Sequence, residues 1–348
     1  MKIAVDVMGG DYAPQELVSG ARSYLENGGD AELILVGRES AIREIMPELP
    51  KGCEIYDTPD FVEMGEAPMQ ALRKKKNASI AVAARLVREG KADALLSAGS
   101  TGAQMAASFL EIGRIPGVER PAIAVMLPSV DDHGVLLLDV GANVDSRANH
   151  LFQFAQMGSA YYERVCGIKK PKVGILSIGE EASKGNELTK AVYDSLKESS
   201  LNFVGNVEAD HLYHGRAHVV VCDGFVGNVL LKASESISEL IQGLLFKAAK
   251  GAAIAPEQLM QLKVGLKKFS PDAPEYSAAP LLGINGVSVV CHGKSKASVI
   301  ANALMLARSY VSAGVVDFIH SQVVKEVMST EDVPQGQVGL KPDTGITR

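Results

Sequence analysis

The sequence predicts an α/β fold, a mainly parallel sheet sandwiched by helices, with a helical hairpin protruding from it. Three observations carry this. Short apolar runs rich in β-branched residues recur along the 348 residues. Segments with helical periodicity lie between many of them, the alternation of a parallel sheet with covering helices. Most of the runs are apolar at consecutive positions, as in strands buried on both faces.

The first run, residues 3–7, leads into Gly9-Gly10, and an amphipathic helix is expected at 14–26. Strands follow at 33–36 and 94–96, with a helix at 79–89 between them. A helix at 101–112 precedes strands at 122–127 and 135–140. The apolar spacing then predicts a helix at 147–165, a strand at 173–178, a helix at 187–196 and a strand at 219–222. The last pair is a strand at 287–291 and a helix at 297–311. Between them a long helix runs from Gly227 to about Lys250, broken by Gly251 and Pro256, and a second helix is expected at 256–269. In the second helix Leu259, Leu262, Leu266 and Phe269 share one face, bordered by Lys263, Lys267 and Lys268. Residues 1–328, hairpin 227–270 included, read as one catalytic domain. Residues 329–348, polar with Pro334, Gly336, Gly339, Pro342 and Gly345, read as a flexible tail. The uncharged stretch 276–293 is interrupted by Pro280, Gly283, Asn285 and Gly286, so it reads as turns and not as a membrane span.

Hydrophobic residues form 47% and charged residues 22% of the chain, which fits a globular protein. A net charge of −6 argues against general nucleic-acid binding. Cys53, Cys166, Cys222 and Cys291 have neither zinc nor disulfide-framework spacing, so free thiols, no metal and a cytoplasmic location are expected. The run Ile3-Ala4-Val5 is too short for a secretion signal. No G-x-G-x-x-G follows the first strand, and neither a Walker loop nor a G-x-S-x-G elbow occurs. The seven histidines are scattered.

Ligands of open α/β sheets bind where strands end and helices begin. Five such loops combine glycine with a carboxylate or hydroxyl: residues 6–14, 97–103, 136–146, 177–188 and 222–228. Helix starts bind anions through unpartnered N–H groups, so convergence of these loops would favour a small oxyanion, phosphate above all. The candidates are Gly9, Gly10, Asp11, Gly99, Ser100, Thr101, Gly102, Asn143, Lys184, Asn186, Asp223, Gly224 and Asn228. Each has a plainer alternative. Gly9 and Gly10 also suit a tight turn, and Asp11, Ser100 or Thr101 a helix cap. Lys184 also suits a solvated surface, and Asp223 and Asn228 a turn. Asp139, Asn143 and Asp145 suit magnesium only with further oxygen ligands, and Asp145 or Ser146 also suits the cap of the next helix.

Taken in order, MKIAVDVMGGDYAP, LRKKKNAS, ADALLSAGSTGA, GRIPGVERPA, GVLLLDVGANVD, SKGNELTK, VVVCDGFVGN and APLLGINGV resemble one family over about residues 1–305. It is the bacterial acyl-ACP:phosphate acyltransferase (PlsX) family. The resemblance implies a phosphotransacetylase/isocitrate-dehydrogenase-like fold and no cofactor. It also implies conversion of long-chain acyl-ACP and orthophosphate to acyl phosphate and free acyl carrier protein, for membrane phospholipid synthesis. A homodimer is implied, working in the cytoplasm at the inner-leaflet membrane surface, beside the downstream glycerol-3-phosphate acyltransferase. Tyr12 departs from the family's usual His, and a phenol with a pKa near ~10 is a poor base at neutral pH. Ser100 replaces a usual Asn, and Ser277-Ala278 a usual Gly-Gly.

On this reading Lys184 and the backbone donors of 99–102 hold phosphate, Asn228 or Ser100 contacts the oxyanion, and Asp11 and Asp223 orient these groups or handle a proton. The face bearing Leu259, Leu262, Leu266 and Phe269 is the candidate membrane contact, with a dimer interface or core packing as its alternative. A short-chain phosphotransacetylase, an isocitrate-type dehydrogenase and a non-catalytic scaffold are the rival readings. The charge is uneven: residues 69–91 hold seven Lys or Arg and one acid, and 241–270 hold five and one. An acidic body thus carries two basic faces, one suited to an acidic carrier protein and one to anionic lipid.

Overall fold

The computed structural model describes residues 1–130, 133–251, 257–261 and 278–331. Eleven strands form one continuous sheet: β1 (Lys2–Asp6), β2 (Glu32–Gly37), β3 (Cys53–Asp57), β4 (Ala94–Ser97), β5 (Ala122–Leu127), β6 (Val135–Leu138), β7 (Lys172–Ser177), β8 (Asn202–Glu208), β9 (Val219–Val221), β10 (Ala279–Leu282) and β11 (Val287–Val290). Their order is β3-β2-β1-β4-β11-β10-β5-β6-β9-β7-β8.

The consecutive apolar positions do what their pattern requires. Ile3 and Val5 face one core layer and Ala4 the other; Leu33 and Leu35 oppose Ile34 and Val36; Leu136 and Leu138 oppose Leu137. The first layer is covered by α1 (Gln15–Glu26), α6 (Ala148–Cys166), α9 (Ala297–Ser312) and α10 (Val315–Glu331). The second is covered by α3 (Pro68–Lys74), α4 (Ser79–Arg88), α5 (Thr101–Ala107) and the first turns of α8 (Gly224–Gly251). Helices α2 (Glu39–Ile45) and α7 (Glu187–Glu198) complete the described set of labelled helices. A π-helical turn, Ser108–Ile112, continues α5 over the rest of the expected 101–112 helix.

Two parallel blocks meet head to tail. β3, β2, β1, β4 and β11 are mutually parallel, as are β6, β9, β7 and β8. β10 runs against both β11 and β5, and β5 runs against β6. β5 therefore points with the first block and β6 against it. The carboxyl ends of the two blocks lie at opposite edges of the sheet.

Three strands escape the sequence pattern. β3 and β8 are the sheet's edges and mix polar with apolar residues, so no continuous apolar run marks them. β10 falls within the stretch read as turns. Its Pro280 pairs with Val289 and lies outside the two residues that meet β5, which is how a central strand tolerates a missing N–H. α10 reaches Glu331, three residues into the expected tail, and 332–348 lie outside the described residues.

α8 begins three residues before the expected Gly227 and spans 28 residues, a length of about 42 Å. Beyond its first turns it bears exposed apolar side chains, among them Ile237, Leu240 and Leu244. The second hairpin helix is described only at 257–261, where Leu259 is half-buried. Leu262, Leu266 and Phe269, with Lys263, Lys267 and Lys268, lie outside the described residues. Among the described residues no single helix is long and apolar enough to cross a membrane.

Candidate functional site

At the carboxyl edge of the first block, a buried carboxylate organises two glycine loops. Asp6, at the end of β1, is 2% exposed. Its Oδ2 accepts from Ser97 Oγ at 2.7 Å, and Ser97 Oγ accepts from the Gly99 N–H at 3.0 Å. Oδ1 accepts from the Met8 N–H at 3.3 Å. The loops pack so closely over this relay that a Cβ on Gly9 would lie 2.6 Å from Asp6 Oδ2 and 2.8 Å from Ser97 Oγ. Burial pushes the Asp6 carboxyl above the usual range, and its hydrogen-bond donors oppose that rise. Asp11 does not cap α1, whose N-cap is Pro14. Ser100 stands at the N-cap of α5 but makes no side-chain cap bond. Thr101 and Gly102 are exposed in the first turn of α5, where N–H groups have no helical acceptor.

A sixth loop, absent from the expectation, joins this group. After β11 the chain reads His292-Gly-Lys-Ser-Lys296 before α9. The Gly293 carbonyl accepts from the Asp11 N–H at 2.8 Å, and Glu16 Oε2 accepts from the Ala297 N–H at 2.7 Å. Lys296 Nζ lies 3.5 Å from Glu16 Oε1 and 3.5 Å from the centre of the Tyr12 ring. The signal was legible: an apolar strand, then glycine, hydroxyl and two lysines, then a helix.

The second block repeats the device at the opposite edge. Asp139, fully buried just after β6, accepts through Oδ1 from the N–H groups of Ile123 at 3.1 Å, Ala142 at 3.0 Å and Gly141 at 3.3 Å. Its Oδ2 accepts from the Asn143 N–H at 2.6 Å and from Asn143 Nδ2 at 2.9 Å. With both oxygens so engaged, the magnesium alternative for Asp139, Asn143 and Asp145 loses its first ligand. Burial raises the Asp139 pKa against these donors. The Asn143 carbonyl accepts from the Gly224 N–H at 2.8 Å. In the first turn of α8, a side chain on Gly227 would run into the Asp139 carbonyl, so only glycine fits.

Several candidates serve their own loops and helices. Asn186 Oδ1 caps α7 by accepting from the Thr189 N–H at 2.9 Å. Asp223 Oδ1 caps α8, accepting from Phe225 and Val226 at 3.0 and 2.9 Å. The helix after Asn143 is capped by neither Asp145 nor Ser146. Its N-cap is Arg147, whose N–H donates to His150 Nδ1 at 3.2 Å. Lys184 is exposed on a loop held by its own N–H to the Glu181 carbonyl at 2.9 Å. Asn228 is exposed on α8 beside Gly141.

The thirteen candidates therefore fall into two groups. Gly9, Gly10, Asp11, Gly99, Ser100, Thr101 and Gly102 share the first edge; Asn143, Lys184, Asn186, Asp223, Gly224 and Asn228 share the second. β4 and β7 are six strand spacings apart, about 29 Å. Within one chain Lys184 does not reach the 99–102 loop, so the expected pairing of the two on one phosphate is not made there.

All four cysteines are free thiols. Burial raises Cys222 well above the usual thiol range, Cys291 to about 12, and Cys53 and Cys166 to about 11. Among the described residues no group of His, Cys, Asp or Glu side chains is placed to hold a metal ion.

The chain matches a family model described as fatty acid synthesis protein over residues 1–317. It is 48% identical over 336 residues to a phosphate acyltransferase of Desulfitobacterium hafniense (strain DSM 10664 / DCB-2), covering 95% of this chain and 100% of that one. A phosphate acyltransferase of Desulforamulus reducens is 51% identical over 324 residues, 92% of this chain and 96% of the other. In structure the chain resembles a phosphotransacetylase from Streptococcus pyogenes, with a TM-score of 0.59 at 17% identity over 91% and 94% of the two chains. A branched-chain phosphotransacylase from Enterococcus faecalis V583 gives 0.57 at 15% identity over 89% and 99%. These two likenesses bear on the fold, and they agree with the expected class.

Proposed function

The chain belongs to the fatty acid synthesis protein family, and on that premise we propose that it moves a long-chain acyl group from acyl carrier protein to orthophosphate, releasing acyl phosphate and the free carrier. The observation that carries the reading is the relay from Asp6 through Ser97 to Gly99, which fixes two glycine loops around the open first turn of α5. Such a site suits a small oxyanion.

Orthophosphate, with a pKa near ~6 to 7, is partly dianionic at neutral pH and attacks a thioester without a strong base. Holding it in line is the main task. The N–H groups of 99–102, with Gly9 and Gly10, are read as its cradle, and Asp11 orients the loop through Gly293. Attack on the carbonyl gives a tetrahedral oxyanion, for which Asn228 is the proposed donor, and expels a thiolate with a pKa of roughly 8 to 9. No metal, redox cofactor or cysteine nucleophile enters this scheme.

Because the two residue groups lie at opposite edges of one chain's sheet, the reading assigns the complete site to a homodimer. One chain's 99–102 loop then faces the Lys184 and Asn228 group of the other. Arg73, Lys74 and Lys76 are proposed to receive the acidic carrier protein. They are exposed and make no ion pair among the described residues, whereas Arg85 and Arg88 pair with Glu111, Lys75 with Glu66 and Lys91 with Glu89. Helix α3, which carries Arg73 and Lys74, also presses Pro68 against Gly102.

The hairpin is proposed to contact the inner leaflet through Leu259, Leu262, Leu266 and Phe269, delivering acyl phosphate to a membrane acyltransferase that acylates glycerol 3-phosphate. Replacing Leu262 and Leu266 by Glu would abolish co-sedimentation with anionic vesicles; unchanged co-sedimentation rules this contact out. For the reaction, the purified protein is incubated with palmitoyl-ACP with and without orthophosphate, and acyl phosphate is trapped with hydroxylamine. Phosphate-dependent hydroxamate is the expected product, and its absence sinks the reading.

A further inference from the structure

We propose that the groove along α8 is the channel for the acyl chain of the donor, an inference that rests on the acyltransferase reading above. The groove lies between residues 125–130, at the end of β5, and the flank of α8 that carries Leu230, Leu231, Ile237 and Ile241. It encloses a volume of about 530 Å³. The wall from Leu230 to Gln242 runs about 18 Å along the helix axis.

The lining favours an apolar ligand, because its polar side chains already hold partners. The Tyr213 hydroxyl and Ser234 Oγ bond each other, and Ser234 also donates to the Leu230 carbonyl at 2.8 Å. Ser129 Oγ donates to the Tyr213 carbonyl at 3.1 Å, Gln242 Nε2 donates to Ser238 Oγ at 3.2 Å, and Glu235 pairs with Lys232 at 2.7 Å. What remains to a ligand is aliphatic surface. The groove also starts where the chemistry needs it to. Leu231 and Glu235, three and seven residues beyond Asn228, share its side of α8 and line the groove, so a thioester carbonyl beside Asn228 would send its chain along it. The outer ridge of α8, with Leu240 and Leu244, does not line it.

Ile237 and Ile241 stand at the rim, 56% and 49% exposed, where a larger side chain fills the groove without entering the core. Each methylene displaced from an apolar channel costs roughly fourfold in binding. Ile237→Trp and Ile241→Trp should therefore each lower the ratio of kcat/KM for palmitoyl-ACP over hexanoyl-ACP by at least about tenfold. They should also weaken binding of cis-parinaric acid, read by its fluorescence, to the full-length protein. A wild-type protein without phosphate-dependent turnover would overturn the acyltransferase reading, while parinarate binding would still decide the groove. An active protein whose ratio and parinarate affinity are unmoved in both variants overturns the channel, as does loss of vesicle binding with the ratio unmoved.

Discussion

The Lys296 ammonium lies 3.5 Å from the centre of the Tyr12 ring, with Glu16 Oε1 at 3.5 Å on the same ammonium. The loop after β11 is thereby tied to the loop after β1, at the mouth of the proposed phosphate cradle. An exposed cation–π contact of this kind contributes ~0.5–1 kcal/mol. Tyr12→Phe should be nearly neutral. Tyr12→His places an imidazole of pKa ~6.5 beside the ammonium. That neighbour lowers the folded-state pKa, so the variant loses stability as pH falls through the unfolded value near ~6.5. Urea melts at pH 8 and pH 5.5 should show the gap to wild type widening at the acid end; an equal gap at both would mean that Lys296 does not sit over position 12.

Breaking the Asp6 relay should affect both stability and phosphate use. Ser97→Ala takes the hydroxyl donor from Asp6 Oδ2 and the acceptor from the Gly99 N–H, a loss of ~1–3 kcal/mol, and frees the 99–102 loop. We expect KM for phosphate to rise more than kcat falls.

Burial raises the folded-state pKa of Asp6, so its contribution favours the fold at low pH and is lost as pH climbs from the usual carboxylate value through the raised one. Asp6→Asn does not titrate. Its stability deficit relative to wild type should therefore shrink between pH 4 and pH 7 in denaturant titrations.

If the site is shared across a homodimer, Lys184→Ala and Gly99→Val variants, each with low activity alone, should complement each other after mixed refolding. Equal mixing makes half the dimers hybrid, each with one intact site, so about a quarter of wild-type activity should return. No recovery from a mixture proven to contain hybrids would place both groups in separate roles.

Charge reversal at Arg73 and Lys74 should raise KM for acyl-ACP while leaving KM for phosphate unchanged, with an effect that fades at high salt. An equal change in both would point to a structural defect in α3.

Native thiols should react slowly. At pH 8 a thiol of pKa about 11, as at Cys53 and Cys166, is only ~0.1% ionised, against about a quarter for an unfolded cysteine. Disulfide-exchange reagents should modify the native protein at least about tenfold more slowly than the urea-unfolded chain, since the higher nucleophilicity of a high-pKa thiolate offsets part of its lower ionisation.

By itself the sequence determined the eight central strands, the long covering helices other than α10 and the glycine loops, because burial on both faces and helical amphipathicity are written in local apolar spacing. The edge strands β3 and β8 were silent since each buries only part of its surface, and β10 was hidden by Pro280. Only the tertiary structure decided direction. A strand buried on both faces reads the same whether its neighbour is parallel or antiparallel, so nothing local says that β6 reverses against β5. That reversal separates Lys184 and Asn228 from the 99–102 loop. The carboxylates of Asp6 and Asp139 beneath their loops likewise bind Ser97 and Ile123, partners that only folding brings within hydrogen-bond distance.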